Sequence, residues 1–348
     1  MNDHTIRVIK KYFSIYYKNF NYEIRDLPKR ELAFSYFEGS SMMRHLGFSS
    51  QRDLKKSLSE SPPKHFYYSS AYYDNPASED LNSTWLGADL IFDIDADHLR
   101  GSENLKKREM LDMVKKEVYK LTNILMQDFG INENKMELVF SGSRGYHIHI
   151  YDIFTDLNTF QRREIVDYIT GRCLDKLNLN RNSIWNQRIK SEERILVEEI
   201  KSLFHSNPKV KEIEYQGYKF KRSRNFPSSE DINIINRLAR DRAKEKYGSA
   251  IDEPVTIDIH RLIRTPMSLH GKTGFIVKVL KFSELEKFDP FVDAIPKEFT
   301  QMEARVKVTK KFPKDFNEGN EYYQEGIQKI KIHEALYLAL NDAMEFLE

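Results

Sequence analysis

Cysteine is almost missing from this chain: its 348 residues hold one, Cys173. A single thiol excludes an internal disulfide framework and any cysteine-rich zinc site. Long apolar runs are missing too. None approaches the roughly 20 residues of a membrane-spanning helix. The opening MNDHTIRVIKKYF has no apolar signal core. The expectation is a soluble intracellular protein. A surplus of one charge sign is also absent, since the formal net charge is +2. A nucleic-acid partner would therefore need a local basic patch instead of bulk charge. No internal repeat or low-complexity tract stands out. With 40% hydrophobic and 31% charged residues, the composition suits a folded chain with a core, not a disordered one. The length allows one large domain or two ordinary ones.

What is present falls into local patterns. Ile6, Ile9, Phe13, Tyr16 and Phe20 recur at helical spacing. HFYYSSAYYD reads as aromatic strand, and LIFDIDAD (90–97) as a strand carrying acids. Leu111, Val114, Val118, Leu121 and Leu125 form a helical stripe that stops near Gly130. MELVF, the tight turn SGSRG and YHIHIYD read as strand, turn and returning strand. Residues 161–178 read as helix. Residues 180–250 are highly charged with helical patches and read as an inserted subdomain. They interrupt a discontinuous core of 1–179 and 251–348. VTIDIHRLIR (255–264) and FIVKVL read as strands, 283–320 as irregular chain, and the last 25 or so residues as helix. Strands and helices mix without regular βαβ alternation, so the expected class is α+β with a largely antiparallel sheet.

Two acids share one face of the acidic strand. Side chains alternate along a strand, so Asp93 and Asp95 project side by side, while Leu90, Phe92 and Ile94 pack behind. Carboxylates that close resist ionising together, and a cation between them relieves the repulsion. Asp258, between Ile257 and Ile259, is a third acid in an apolar setting. Three converging carboxylates would suit magnesium or another hard divalent ion. A solvent-facing strand end is the alternative. A calcium loop starting at Asp93 fails, because His98 stands where Gly is needed and Asn104 where Glu is needed.

The turn Ser141-Gly142-Ser143-Arg144-Gly145 can aim N–H groups, a hydroxyl and a guanidinium at an anion. His147 lies nearest that turn. A plain hairpin with two half-exposed histidines is the alternative, and His149 fits it better than a ligand role. GKT in RTPMSLHGKTG is not a phosphate loop, since Pro266 replaces the first Gly. It leaves Arg264, His270 and Lys272 as cations beyond Asp258. EYQGYKFKRSR places Lys219, Lys221, Arg222 and Arg224 among aromatics, as nucleic-acid contacts would be, though a solvated face is the plainer reading.

Taken together, LIFDIDAD, SGSRGYHIHI and TIDIHRLIRTPMSLHGKTG resemble, in order and spacing, the catalytic small subunit of archaeal and eukaryotic DNA primase. REL-F at Glu31, YYSSAYYDNP and FDPFVDAIP extend the resemblance over roughly residues 1–300. It implies an α+β primase catalytic core with a mixed, largely antiparallel RRM-like sheet flanked by helices, plus an inserted mainly helical subdomain. It implies an archaeal cytoplasmic nucleotidyltransferase for DNA replication. That enzyme makes RNA primers, or DNA as well, from NTPs or dNTPs on single-stranded DNA. On the family pattern Asp93, Asp95 and Asp258 hold Mg2+ or Mn2+. Ser141, Arg144 and His147 hold the nucleotide's phosphates. Arg264 and His270 match a basic residue and a histidine that also bind nucleotide. Glu31 and Arg44 match further nucleotide-site positions more loosely.

The family's zinc module is missing, since HLRGSENLKKREM runs into the helix without cysteine, so zinc is not expected. The implied partner is a large subunit bearing an iron–sulfur domain, a cluster that one cysteine cannot hold. Two rivals remain. One is a primase-type repair polymerase. The other is a non-catalytic RRM-like binder, which leaves the acids unexplained because carboxylates repel phosphates.

Overall fold

The computed structural model describes residues 1–39, 41–176, 183–223, 226–317 and 321–347. Arg224 and the start of the 180–250 stretch lie outside the described residues. The chain divides into two compact units. One comprises Met1–Lys116, Asn132–Arg163 and Ile251–Glu348, and the other Glu117–Ile131 and Glu164–Ala250. The 180–250 stretch falls within the second unit, which extends beyond it at the front.

The first unit holds two four-stranded antiparallel sheets. One runs Val279–Leu280, Met136–Phe140, Gly145–Ile150, Leu90–Asp95. Alternation sorts its faces. Phe92 pairs with Ile148 and Ile94 with Tyr146, and these side chains are buried with Leu138 and Phe140. On the opposite face Asp93 pairs with His147 and Ile91 with His149. The other sheet runs Leu262–Arg264, His65–Ser69, Leu32–Ser35, Met42–Leu46, and sets Arg264 beside Tyr67.

Buried polar groups fix where the acidic strand starts. Arg30 is fully buried and donates to Ser69 O (3.0 Å), Ser70 O (2.7 Å) and Asp89 Oδ2 (2.5 Å). Arg162 donates to Ala88 O (2.7 Å) and Asp89 O (3.1 Å). Such guanidiniums are retained in a core because most of their N–H groups find an oxygen. The first helix, Asp3–Tyr17, starts at Asn2, whose Oδ1 accepts from Thr5 N at 2.8 Å. It buries Ile9, Phe13, Tyr16 and Tyr17. Tyr16 OH donates to Met267 O (2.7 Å) and Tyr17 OH accepts from Leu269 N (3.1 Å), which anchors the RTPMSLHGKTG loop.

Three expectations fail here. The 255–264 stretch is not one strand. Glu253–Ile257 is a short helix with Pro254 in its first turn, and only Leu262–Arg264 is strand. Proline's fixed φ favours that first turn, which overrides the strand preference of Val255, Thr256 and Ile257. The C-terminal helix is also short, Ile332–Leu340, with strands Gly326–Lys331 and Met344–Phe346 on either side. Asp342, left-handed at φ 54°, turns the chain out of the helix. Residues 283–320 are not wholly irregular, since Glu303–Val308 lies between those two strands in a three-stranded sheet.

The second unit packs helices Ile184–Ser206 and Ser229–Tyr247 around Trp185, Leu196, Ile200, Phe220, Ile235 and Ala239. Its hairpin, Glu212–Tyr215 with Tyr218–Lys221, turns at Gln216–Gly217, both at positive φ. Lys219 pairs with Glu214 and Lys221 with Glu212, so the strand cations of this segment sit opposite acids. Among the described residues no helix is long and apolar enough to cross a membrane.

Candidate active-site cleft

The two sheets of the first unit and the loops at their ends line a cleft of about 500 Å3. Asp93, Asp95, Ser141, Arg144, His147, Arg264 and His270, all singled out in the sequence, lie along it. Two glycines allow this convergence. A Cβ on Gly145 would meet Ile94 O at 2.4 Å, so only glycine lets the turn approach the acidic strand. Gly142 has φ +87°, and a Cβ there would meet His270 Cβ at 2.6 Å. Thr273 Oγ1 donates to Gly142 O (2.6 Å), closing turn against loop.

The acids face the cations at short range. Arg144 contacts Asp97 Oδ2 at 2.5 Å and Asp95 Oδ1 at 3.8 Å. His147 Nε2 stands 3.6 Å from Asp93 Oδ1. Burial, then the nearby charges of Asp95 and Asp252, push the Asp93 carboxyl up to about 7. The histidines shift the other way. Burial and neighbouring cations hold His147 and His270 well below the ordinary histidine range, and His65 near 3. At neutral pH they are therefore uncharged, and their N–H groups donate without adding charge. Arg144, Arg264, Lys272 and Lys107 supply the fixed positive charge of the lining.

Three candidate residues lie elsewhere. Asp258 is not the acid beside Asp93. It follows the short helix, its Oδ1 accepts from His260 N (2.9 Å), and its charge bears on Arg44 and Tyr73. Glu31 is fully buried and holds Arg44 through two hydrogen bonds of 2.9 Å. Glu31, Arg44 and Asp258 thus gather near Tyr73 and do not line the cleft. The third acid at the strand pair is Asp252, whose N–H donates to Asp93 O at 2.7 Å. His98 Nε2 lies 3.9 Å from its Oδ1. Its sequence signal is the Asp-Glu-Pro helix start, which lies just ahead of the 255–264 stretch expected to be strand.

His149 is also corrected. Neither it nor His147 is half-exposed; both are buried, their rings stacked 5.8 Å apart. His149 Nδ1 lies 2.9 Å from Tyr68 OH and 3.0 Å from Tyr151 OH, and Tyr151 donates to Glu137. His65 and Tyr67 line the cleft without having been singled out in the sequence. His65 Nδ1 accepts from Gly271 N (3.3 Å), and Arg264 reaches Tyr67 OH (3.4 Å). Strand alternation puts both on one face, but nothing local marks that face as functional.

Among the described residues no group of three or more His, Cys, Asp or Glu is arranged to hold a metal ion by protein ligands alone. The donor chemistry nonetheless fits a divalent cation. Asp93, Asp95 and Asp252 are hard oxygen donors; burial first, and then the charges of Asp95 and Asp252, raise the Asp93 carboxyl, and a cation would relieve that repulsion.

Residues 92–282 match the family model described as DNA primase small subunit. The DNA primase small subunit PriS of Picrophilus torridus is 35% identical, covering 97% of each chain. That of Thermoplasma volcanium is 37% identical, over 87% of this chain and 86% of its own. A solved polymerase domain of Mycobacterium tuberculosis Ligase D, in complex with DNA, is 12% identical with a TM-score of 0.37, covering 83% of this chain and 86% of that one. Identity of 35% over nearly the whole of both chains, with the family model matching residues 92–282, places the chain in the DNA primase small subunit family.

Proposed function

We propose that the cleft performs template-directed nucleotidyl transfer, joining ribonucleotides, or deoxyribonucleotides as well, into primers on single-stranded DNA for replication. The observation that carries this reading is the Asp93–Asp95 pair facing Arg144, Arg264 and Lys272 across one cleft. The 3′-oxygen of one nucleotide bonds to the α-phosphorus of the next, and pyrophosphate departs. Asp93, Asp95 and Asp252 would hold magnesium or manganese, which in such reactions activates the attacking oxygen and offsets charge on the leaving group. Substrate phosphates would complete the coordination that the acids leave open. Arg144, Arg264 and Lys272 bind the phosphates. Neutral His147 and His270 orient them by hydrogen bonds, and the Ser141–Gly145 turn fixes the distance between phosphates and acids.

Glu31 and Arg44 remain candidates for nucleotide contacts beyond this cleft. A large subunit is the proposed partner, since one cysteine cannot carry the family's iron–sulfur cluster. The test is incorporation of labelled nucleotide on single-stranded DNA, with and without that subunit, in magnesium, manganese or chelator. Template-dependent product that chelation abolishes is expected. Template and nucleotide binding without incorporation would favour the non-catalytic reading.

A further inference from the structure

Lys107 opens the helix Lys107–Asn123 and lines the cleft, although no motif includes it. Its ammonium lies 2.8 Å from Asp315 Oδ2, against the Tyr337 hydroxyl and 4.6 Å from the Tyr337 ring centre. Tyr337 also donates to Asp315 at 2.9 Å. Tyr337 is buried, whereas the Lys107 side chain is 41% exposed. Lys107, Phe291 and Asn341 also line a neighbouring cavity of about 710 Å3. Lys107 thus lines both cavities.

Contacts lead stepwise from the acids to this point. Asp95 meets Arg144, Gly142 meets Thr273, and Lys272 O accepts from Asn341 Nδ2 at 2.9 Å. Asn341 also donates to Tyr337 O at 2.8 Å, and Tyr337 meets Lys107. Phe275 and Phe291 at this end are buried and packed on Tyr337, so no open ring face awaits a base. What this end offers a ligand is the amine. Among the described residues Lys107 is one of four lysines and arginines in the lining. A triphosphate carries several negative charges spread away from the reacting phosphorus.

We infer that Lys107 binds the terminal phosphate of the incoming nucleoside triphosphate, exchanging Asp315 and Tyr337 for it. The inference rests on the nucleotidyl-transfer reading. In the free protein Asp315 and Tyr337 hold the amine in waiting, and the bound phosphate competes for it by charge-assisted hydrogen bonds.

The test is equilibrium binding of a non-hydrolysable nucleoside triphosphate and of the matching diphosphate to the full chain with manganese. Lys107→Gln should weaken the triphosphate about tenfold and the diphosphate less than about twofold, the size of one charge-assisted contact. Lys107→Arg should restore most of the difference, and Asp315→Asn, which frees the lysine, should not weaken the triphosphate. A purely structural tie would lower thermal stability and weaken both nucleotides alike. Equal losses for both, or none, overturn the inference while Arg144→Gln still weakens both. If Arg144→Gln also has no effect, the nucleotidyl-transfer reading falls, and the role of Lys107 falls with it.

Discussion

At the scale of single residues, the pairing of Asp93 and Asp95 was legible because strand alternation has a period of two and leaves no freedom about which side chains share a face. The third acid was not. Asp252 and Asp258 stand six positions apart, and choosing between them depends on Pro254 starting a helix. Asp252→Asn should lower incorporation by about 100-fold or more, and Asp258→Asn by less than about tenfold, as steady-state kcat/KM on one template will show.

His149 offers a pH test at the same scale. Burial and then Arg30 hold it near 3, whereas unfolded it takes a proton near 6.5. Its contribution to stability is complete above 6.5 and is lost as the pH falls below that toward 3. The wild-type protein should therefore lose stability between pH 6.5 and 5 more steeply than His149→Phe, by up to about 1.4 kcal/mol per pH unit. Urea unfolding of both proteins across that range checks it. Comparing slopes removes opposing groups such as Asp93, whose raised carboxyl favours the folded state as the pH falls.

At the scale of elements, the acidic strand, the Met136–Phe140 strand and the returning histidine strand could be read locally, since the first and last alternate, the middle one is a short apolar run, and a glycine turn joins the last two. Elements whose local preference conflicts with their context could not. Val255-Thr256-Ile257 prefers a strand but sits behind a proline-started helix turn. Leu336 and Leu340 share a helical stripe with Ala343 and Leu347, yet the helix ends before Asp342. His65, Tyr67 and Lys107 join the cleft through long-range contacts, which no local pattern reveals. The turn itself can be tested by Gly142→Ala. A side chain at φ +87° against His270 strains the backbone, so the variant should lose about 1–3 kcal/mol of stability in denaturant unfolding. It should also raise KM for nucleotide, because the turn and the His270 loop part together.

At the scale of the whole molecule, every residue lining the cleft belongs to the first unit, while Trp185 and its neighbours form a separate core in the second. Trp185→Ala removes a fully buried ring and should cost about 3–5 kcal/mol. Thermal unfolding should show that loss. Below the transition, KM for nucleotide should stay within about twofold of wild type, because the chemistry sits in the other unit.

The most direct measurement is nucleotide incorporation on single-stranded DNA by Asp95→Ala beside the wild-type chain, each with manganese and each checked for an unchanged melting curve. The expected result is product from the wild type and a loss of at least about a thousandfold in the variant. A correctly folded Asp95→Ala protein that polymerises at the wild-type rate would contradict the assignment of this cleft.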